Sequence, residues 1–271
     1  MKIIDSHIHF WDTSNGHHQW VDGTKLPNIV TPDDFNIDNF VHVEAHNPIH
    51  NNLCEYTWIK KNFNNKNIKV VAHADFSQPM DNFIDDVIKL SNTPDIVGIR
   101  HIMAKTTQSS YSPADADIPV DLFDKLKILE HYNLVFECQM YPNQFLDNID
   151  IIHKSGVTTA AEHFGLPIFA SQNNIKQWNT LLNEINQSDN ITFKLSGLDL
   201  NNDDKYIKSS LDKVLNTITS DKLCYGSNFP VTNSHDYSEW QKILVHSIAS
   251  DNKMLDDIFF NTANKLYQFS L

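Results

Sequence analysis

Ile3-Ile4-Asp5-Ser6-His7-Ile8-His9-Phe10-Trp11-Asp12 opens the chain as an apolar run that ends in two histidines. Side chains alternate between faces along a strand, so His7 and His9 point the same way. Two converging imidazoles suit a divalent metal or an anionic oxygen; two satisfied or exposed histidines near an N-terminus are the bland alternative. Beyond this first run, Lys2–His9, β-rich runs recur at Asn39–His46, Ile68–Phe76, Ile96–Ile102, Asn133–Met140, Val157–Phe164, Ile191–Gly197 and Lys222–Asn228. The segments between them have helical spacing. Pro119–Tyr132 carries Phe123, Leu126, Leu129 and Tyr132 on one stripe, and Leu255, Ile258, Phe259, Thr262, Ala263, Leu266 and Tyr267 form a last one. Eight strands, each followed by a helix, predict an α/β protein of the (β/α)8 TIM-barrel type, with a doubly wound sheet as the alternative. Phe10 to Asn39 leaves room only for a short helix near Pro32–Phe35. The barrel is therefore expected to be distorted, with a truncated first helix and a long first loop reaching over the site.

Strand parity points to a polar barrel mouth. Val41, Val43 and Ala45 alternate with His42, Glu44 and His46; Glu137 and Gln139 oppose Phe136 and Cys138; Lys194 and Ser196 oppose Phe193 and Leu195. Helices cover a barrel from outside, so the apolar sets should face outward and the polar sets the lumen. Buried ionisable groups are costly unless paired or used, which makes these strand ends candidate site residues. Of only seven glycines, Gly98, Gly165, Gly197 and Gly226 lie within or just after proposed strands, where backbone approaches closely.

No low-complexity linker or charge block interrupts the 271 residues, so a single domain over 1–271 is expected. A net charge of −13 argues against nucleic acid and anionic membranes as partners. The expected partner is a small-molecule substrate, and a homo-oligomer is left open. Met1-Lys2-Ile3 leads straight into a strand, and Cys54, Cys138 and Cys224 are odd in number and far apart, which fits free thiols in a reducing cytoplasm.

The motifs carry a family likeness. Ile4–Asp12, Val41-His42-Val43-Glu44-Ala45, Gly98-Ile99-Arg100-His101, Glu162-His163-Phe164-Gly165-Leu166-Pro167, Lys194-Leu195-Ser196-Gly197-Leu198 and Gly226-Ser227-Asn228-Phe229-Pro230-Val231 occur in family order. With them the chain resembles the amidohydrolase-related TIM-barrel hydrolases, in particular the group of sugar-lactone hydrolases and 2-pyrone-4,6-dicarboxylate lactonase. The resemblance implies a site at the C-terminal strand ends, with His7, His9, His163 and position 228 around a reacting carbonyl and Arg100 on substrate anions. Where the family reads Gly-Ser-Asp-Trp-Pro this chain has Asn228 and Phe229. The family's aspartate takes a proton from the attacking water, which an amide cannot do. A diverged branch with a relocated base, an engineered inactivation and binding without turnover are the explanations; Phe229 beside Asn228 favours the first.

Glu44 is the first candidate for that base, with a buried ion pair to Lys194 or Arg100 as its alternative role. His46, His101, Asp75 and His73 follow, His101 having a structural alternative too. Arg100, Lys194, Ser196 and Gln139 are the expected substrate-binding residues. His7, His9 and His163 offer three nitrogens for one divalent metal, zinc by preference. The same imidazoles with Arg100 also suit metal-independent polarisation of a carbonyl, and loss of the carboxylate at 228 tilts toward weak or absent metal. His17 and His18 read as an exposed pair in a mobile loop. Trp11, Trp20 and Tyr141 suit either an apolar wall or core packing. The activity implied is opening of a small lactone; a metal-dependent decarboxylase, an amide hydrolase and a non-catalytic lactone-binding protein are the alternatives.

Overall fold

The structure is a computed structural model that describes residues 1–45, 52–109, 111–114, 117–198, 200, 204–232 and 236–269. Eight parallel strands stand in sequence order in one sheet: β1 (Asp5–Ile8), β2 (Asn39–Val43), β3 (Asn67–His73), β4 (Ile96–Arg100), β5 (Val135–Cys138), β6 (Thr159–Ala161), β7 (Ile191–Leu195) and β8 (Leu223–Tyr225). Seven lie within the runs expected from sequence, and β3 begins one residue before its run, at Asn67. The sheet curls into a nearly closed barrel. Its seam lies beyond the end of β8, where Asn228 N donates to His7 O at 2.7 Å and His9 N to Phe229 O at 3.0 Å. Outside stand α1 (Cys54–Asn62), α2 (Met80–Ser91), α3 (Leu122–His131), α4 (Pro142–Ser155), α5 (Gln172–Gln187), α6 (Asp204–Leu215) and α7 (Tyr237–Ile248). A terminal segment follows as α8 (Asn252–Asp256), a π-helical turn (Asp257–Asn261) and α9 (Thr262–Leu266).

Two apolar cores follow from strand alternation. The larger lies between barrel and helices and includes Phe40, Val70, Ile99, Phe136, Phe193 and Leu195 with Phe83, Leu126 and Leu181. The smaller fills the lumen with Ile4, Val41, Val43, Val71, Val135 and Ala160, closed below by Ala263, Leu266 and Tyr267. Parity holds as expected on β5 and β7 but is reversed on β2. Val41 and Val43 face the lumen, and His42 shares the outer side with Phe40 and meets α1. Alternation gives two faces but not their assignment, and here the valines fill the lumen better than an imidazole. Glu44 reaches the mouth because it lies past the end of β2; His46 lies outside the described residues.

The expected short first helix is one 3-10 turn, Pro32–Asp34, with a capping box between Thr31 and Asp34. Before it, Trp11–Asp12 pairs antiparallel with Ile29–Val30, and the loop between them folds back over the barrel mouth. Among the described residues no helix is long and apolar enough to cross a membrane.

Candidate active site

At the C-terminal mouth two lobes of about 360 and 440 Å³ lie side by side and share Tyr111, His163, Asn228 and Val231. These volumes suit a small molecule. The first lobe adds His9, Arg100, Gln139 and Trp20; the second adds Tyr141, Tyr206 and Thr232.

The floor is a cluster of imidazoles. His7 and His163 stand with ring centroids 4.6 Å apart, and His7 and His9 with centroids 5.1 Å apart. Burial, then the charges of Lys194 and neighbouring groups, hold His7 well below the ordinary imidazole value; burial and Arg100 do the same to His163. His9 is lowered to about 3 by burial, Arg100 and His42. All three rings are therefore neutral near pH 7 and offer nitrogen lone pairs. His9 Nδ1 lies 2.8 Å from Val43 O, and a carbonyl can only accept, so the ring's proton sits there and Nε2 is bare. Nε2 meets the Asn228 amide oxygen at 3.2 Å, and the amide nitrogen donates to Thr232 Oγ1 at 2.5 Å. That oxygen accepts from a protonated Nε2; turned over, the same amide donates to a neutral one.

Glu162 was missed by sequence reasoning, and it is the group that joins the floor. Fully buried, it lies 3.4 Å from His7 Nδ1, 3.5 Å from His163 Nε2 and 3.4 Å from Arg100 Nη1. Adjacent strand residues should point apart, yet Glu162 and His163 both face the site. The chain turns left-handed at His163 (φ 53°) and Phe164 (φ 56°) just past β6, and period-2 reading cannot foresee that.

The residues present fit a divalent cation. Ligand atoms of His7, Glu162 and His163 lie within 4.8 Å of one another, and His7 Nδ1, His7 Nε2 and Glu162 Oε1 are buried without a hydrogen-bond partner. Such orphaned lone pairs on imidazole and carboxylate are what a cation satisfies. Of the expected three-histidine set, His7 and His163 converge with Glu162, while His9 stands beside them with its ring centroid 5.1 Å from that of His7.

Several expected roles change with depth. Glu44 Oε1 accepts Arg100 Nε at 2.6 Å, and Arg100 Nη2 donates to Glu44 O at 2.5 Å. Burial would raise the Glu44 carboxyl, but the guanidinium holds it below its ordinary value. Its ion-pair role therefore stands over its role as base. Arg100 lines the first lobe, already neutralised by Glu44 and Glu162. Gln139 lines it too and donates to the Tyr111 hydroxyl at 2.8 Å. Lys194 lies a layer deeper than expected, fully buried, 2.8 Å from Glu137 Oε2 and donating to Ser6 O at 2.9 Å. It lines neither lobe. Ser196 meets His163 Nδ1 at 3.1 Å and orients the ring. His101 also lines neither lobe; its Nδ1 accepts the Phe76 N–H at 3.1 Å and it stacks on His73, so its structural role stands. Asp75 is on the same cluster, 3.6 Å from His101 Nδ1. Trp11 is fully buried in the outer core, whereas Trp20 and Tyr141 each wall a lobe.

Two glycines let these rings approach backbone. A Cβ on Gly226 would sit 2.7 Å from His7 Cβ, and one on Gly197 (φ +68°) would sit 2.5 Å from His163 Nδ1. Gly197→Ala is expected to push His163 aside and to destabilise the fold by about 1–3 kcal/mol. An unfolding midpoint and activity equal to the wild type would reject this account.

The comparisons with known proteins agree with this picture. A family model described as amidohydrolase matches residues 4–269. The chain is 22% identical to an uncharacterized protein, y4mH, of Sinorhizobium fredii, covering 99% of each. An amidohydrolase from Burkholderia multivorans, solved with bound HEPES and separately with bound zinc, superposes with TM-scores of 0.79 and 0.78 at 19% and 18% identity, over 99% of this chain and 100% of that one. A Pseudomonas putida protein assigned as a 2-pyrone-4,6-dicarboxylic acid hydrolase superposes with a TM-score of 0.74 at 14% identity, over 100% of this chain and 98% of that one. Similarity at this level shows the barrel; the family match spans nearly the whole sequence, and the chain belongs to the amidohydrolase family of hydrolases.

Proposed function

We propose that the protein hydrolyses a small cyclic ester, sugar-derived or carboxylated, at the mouth of its barrel. The observation that carries the reading is the His9–Asn228 pair, which lines a cavity sized for a small ring and keeps an imidazole lone pair on its wall. The likeness to the Pseudomonas putida protein supports the cyclic-ester class.

His7, Glu162 and His163 would hold a divalent cation, zinc by first expectation, which when bound polarises a carbonyl and makes water more acidic. His9 Nε2 takes the proton of the attacking water. Val43 O holds the Nδ1–H, and the Glu44 carboxylate partly offsets the lowering of the ring's basicity by burial, Arg100 and His42. Asn228 cannot accept that proton, but its amide serves both states of His9, so it replaces an aspartate as a partner rather than as a base. Gln139 and Arg100 orient substrate oxygens in the first lobe, and Trp20 covers the ring's apolar face.

The test is proton release from a panel of sugar lactones and pyrone carboxylates. Turnover of at least one is expected, falling about 10²–10⁴-fold in His9→Gln. Turnover that survives His9→Gln unchanged would move the base elsewhere. Asn228 favours one other reading, binding without turnover. Saturable binding of a lactone with no proton release would establish it. Inertness to every lactone, with activity on an amide or a carboxylate that loses CO2, would point to the other chemistries of this barrel.

A further inference from the structure

A buried carboxylate behind β2 ties the first loop to the barrel. Glu55, on α1, accepts from His18 Nε2 at 3.1 Å, from His42 Nε2 at 2.7 Å, and from the Ala45 N–H at 3.0 and 3.2 Å. His42 accepts the Phe10 N–H at Nδ1 (3.1 Å), which leaves its ring proton on Nε2 for Glu55. His42 and Ala45 belong to the barrel; His18 belongs to the loop and, against expectation, is only 2% exposed.

Two residues beyond His18, the Trp20 indole N–H donates to Ala45 O at 2.8 Å, and the ring walls the first lobe. Ala45 is thus held on both sides, its N–H by Glu55 and its carbonyl by Trp20. Trp11 backs the loop, with ring centroids 5.6 Å from Trp20 and 5.9 Å from His18. Trp20 itself is 39% exposed, so burial gives it only a partial hold, and the polar ties supply the rest.

We propose that Glu55, acting through His18, is a positioning residue that keeps the first loop docked so that Trp20 walls the substrate cavity. The proposal rests on that cavity being the substrate site of the function argued above. A hydrogen bond to a charged acceptor is stronger than a neutral one, so one carboxylate shared between loop and barrel grips both. His18 is the loop's direct bond to Glu55; without it the loop keeps its contacts to Ala45 and Trp11 and the burial of Val21 in the outer core.

Two variants test this by hydrogen exchange and kinetics. His18→Leu keeps apolar bulk against Trp11 and removes the bond to Glu55. Glu55→Gln keeps the shape and removes the charge. In both, amide exchange across residues 13–30 is expected to speed up about tenfold while exchange in α3–α5 stays as in the wild type. KM for a turned-over lactone is expected to rise about tenfold with kcat within about twofold, a split that a general loss of stability would not produce. Wild-type exchange across residues 13–30 in His18→Leu would overturn the proposal. Faster exchange with unchanged KM would overturn it too, because the loop would then be tied without walling the substrate. Should Glu55→Gln fail to fold, His18→Leu decides alone. If no lactone is turned over, the proposed function fails by itself, while the exchange rates still accept or reject docking through Glu55.

Discussion

Glu162→Gln is expected to weaken binding of a divalent cation at least about 100-fold and to lower turnover by a similar factor or more. The substitution keeps shape and removes the negative charge that faces His7, His163 and Arg100. The neutral amide leaves the two imidazoles without an anionic partner for a cation, while Arg100 keeps both of its contacts to Glu44. The fold should therefore survive, with a loss of about 1–2 kcal/mol at most. Zinc titration by calorimetry, with thermal unfolding as the control, reads both effects. Wild-type affinity in a folded Glu162→Gln would remove Glu162 from the cation site.

The largest effect on stability is expected one layer below. Lys194 and Glu137 form an ion pair with no exposure on either side chain, and the Tyr267 hydroxyl donates to the same glutamate. Burial lifts Glu137 from 4.5 to about 7 even with Lys194 beside it. Lys194→Met leaves that carboxylate uncompensated and is expected to destabilise the protein by about 3–5 kcal/mol at pH 8. Glu137 has a folded pKa above its unfolded one, so between pH 4.5 and about 7 the folded state binds more protons and stability falls as pH rises. Losing Lys194 lifts the folded value further. The deficit of Lys194→Met should therefore shrink as pH drops from 8 toward 5. Adding Glu137→Gln removes the stranded charge, keeps an acceptor for Tyr267 and should recover most of the loss. Urea unfolding of both variants at pH 5 and pH 8 decides it. A deficit independent of pH would mean that the lost packing of the lysine chain dominates, not its charge.

The architecture was legible because it rests on periodicities that local residues set. Strand runs, the stripe of Leu126 and Leu129, and the short turn at Pro32 all follow from spacing. Gln139 was legible as a mouth residue from strand parity, and Arg100, His163 and Asn228 through the family resemblance; each lies at or just past a strand end. What failed was whatever spacing does not encode. His42 faces outward because alternation leaves the choice of face to packing. Lys194 lies too deep because parity fixes direction but not height along the barrel. Glu162 escaped because a left-handed residue after it breaks the alternation that would have excluded it. Glu44 needed its partner to be seen, since a carboxylate on Arg100 and a free base look alike in sequence.

The seam of the barrel has a further consequence. Its clasp is made of the backbone of His7, His9, Asn228 and Phe229, and the first and last of the eight strands are joined through it. The ring is therefore fastened by the backbone of the residues that floor and wall the proposed substrate cavity, as a bracelet is by its catch. Any movement that repositions His9 against Asn228 pulls on the fastening of the whole hoop. Ligands that seat well between them should make the entire molecule harder to spring open, not merely its rim.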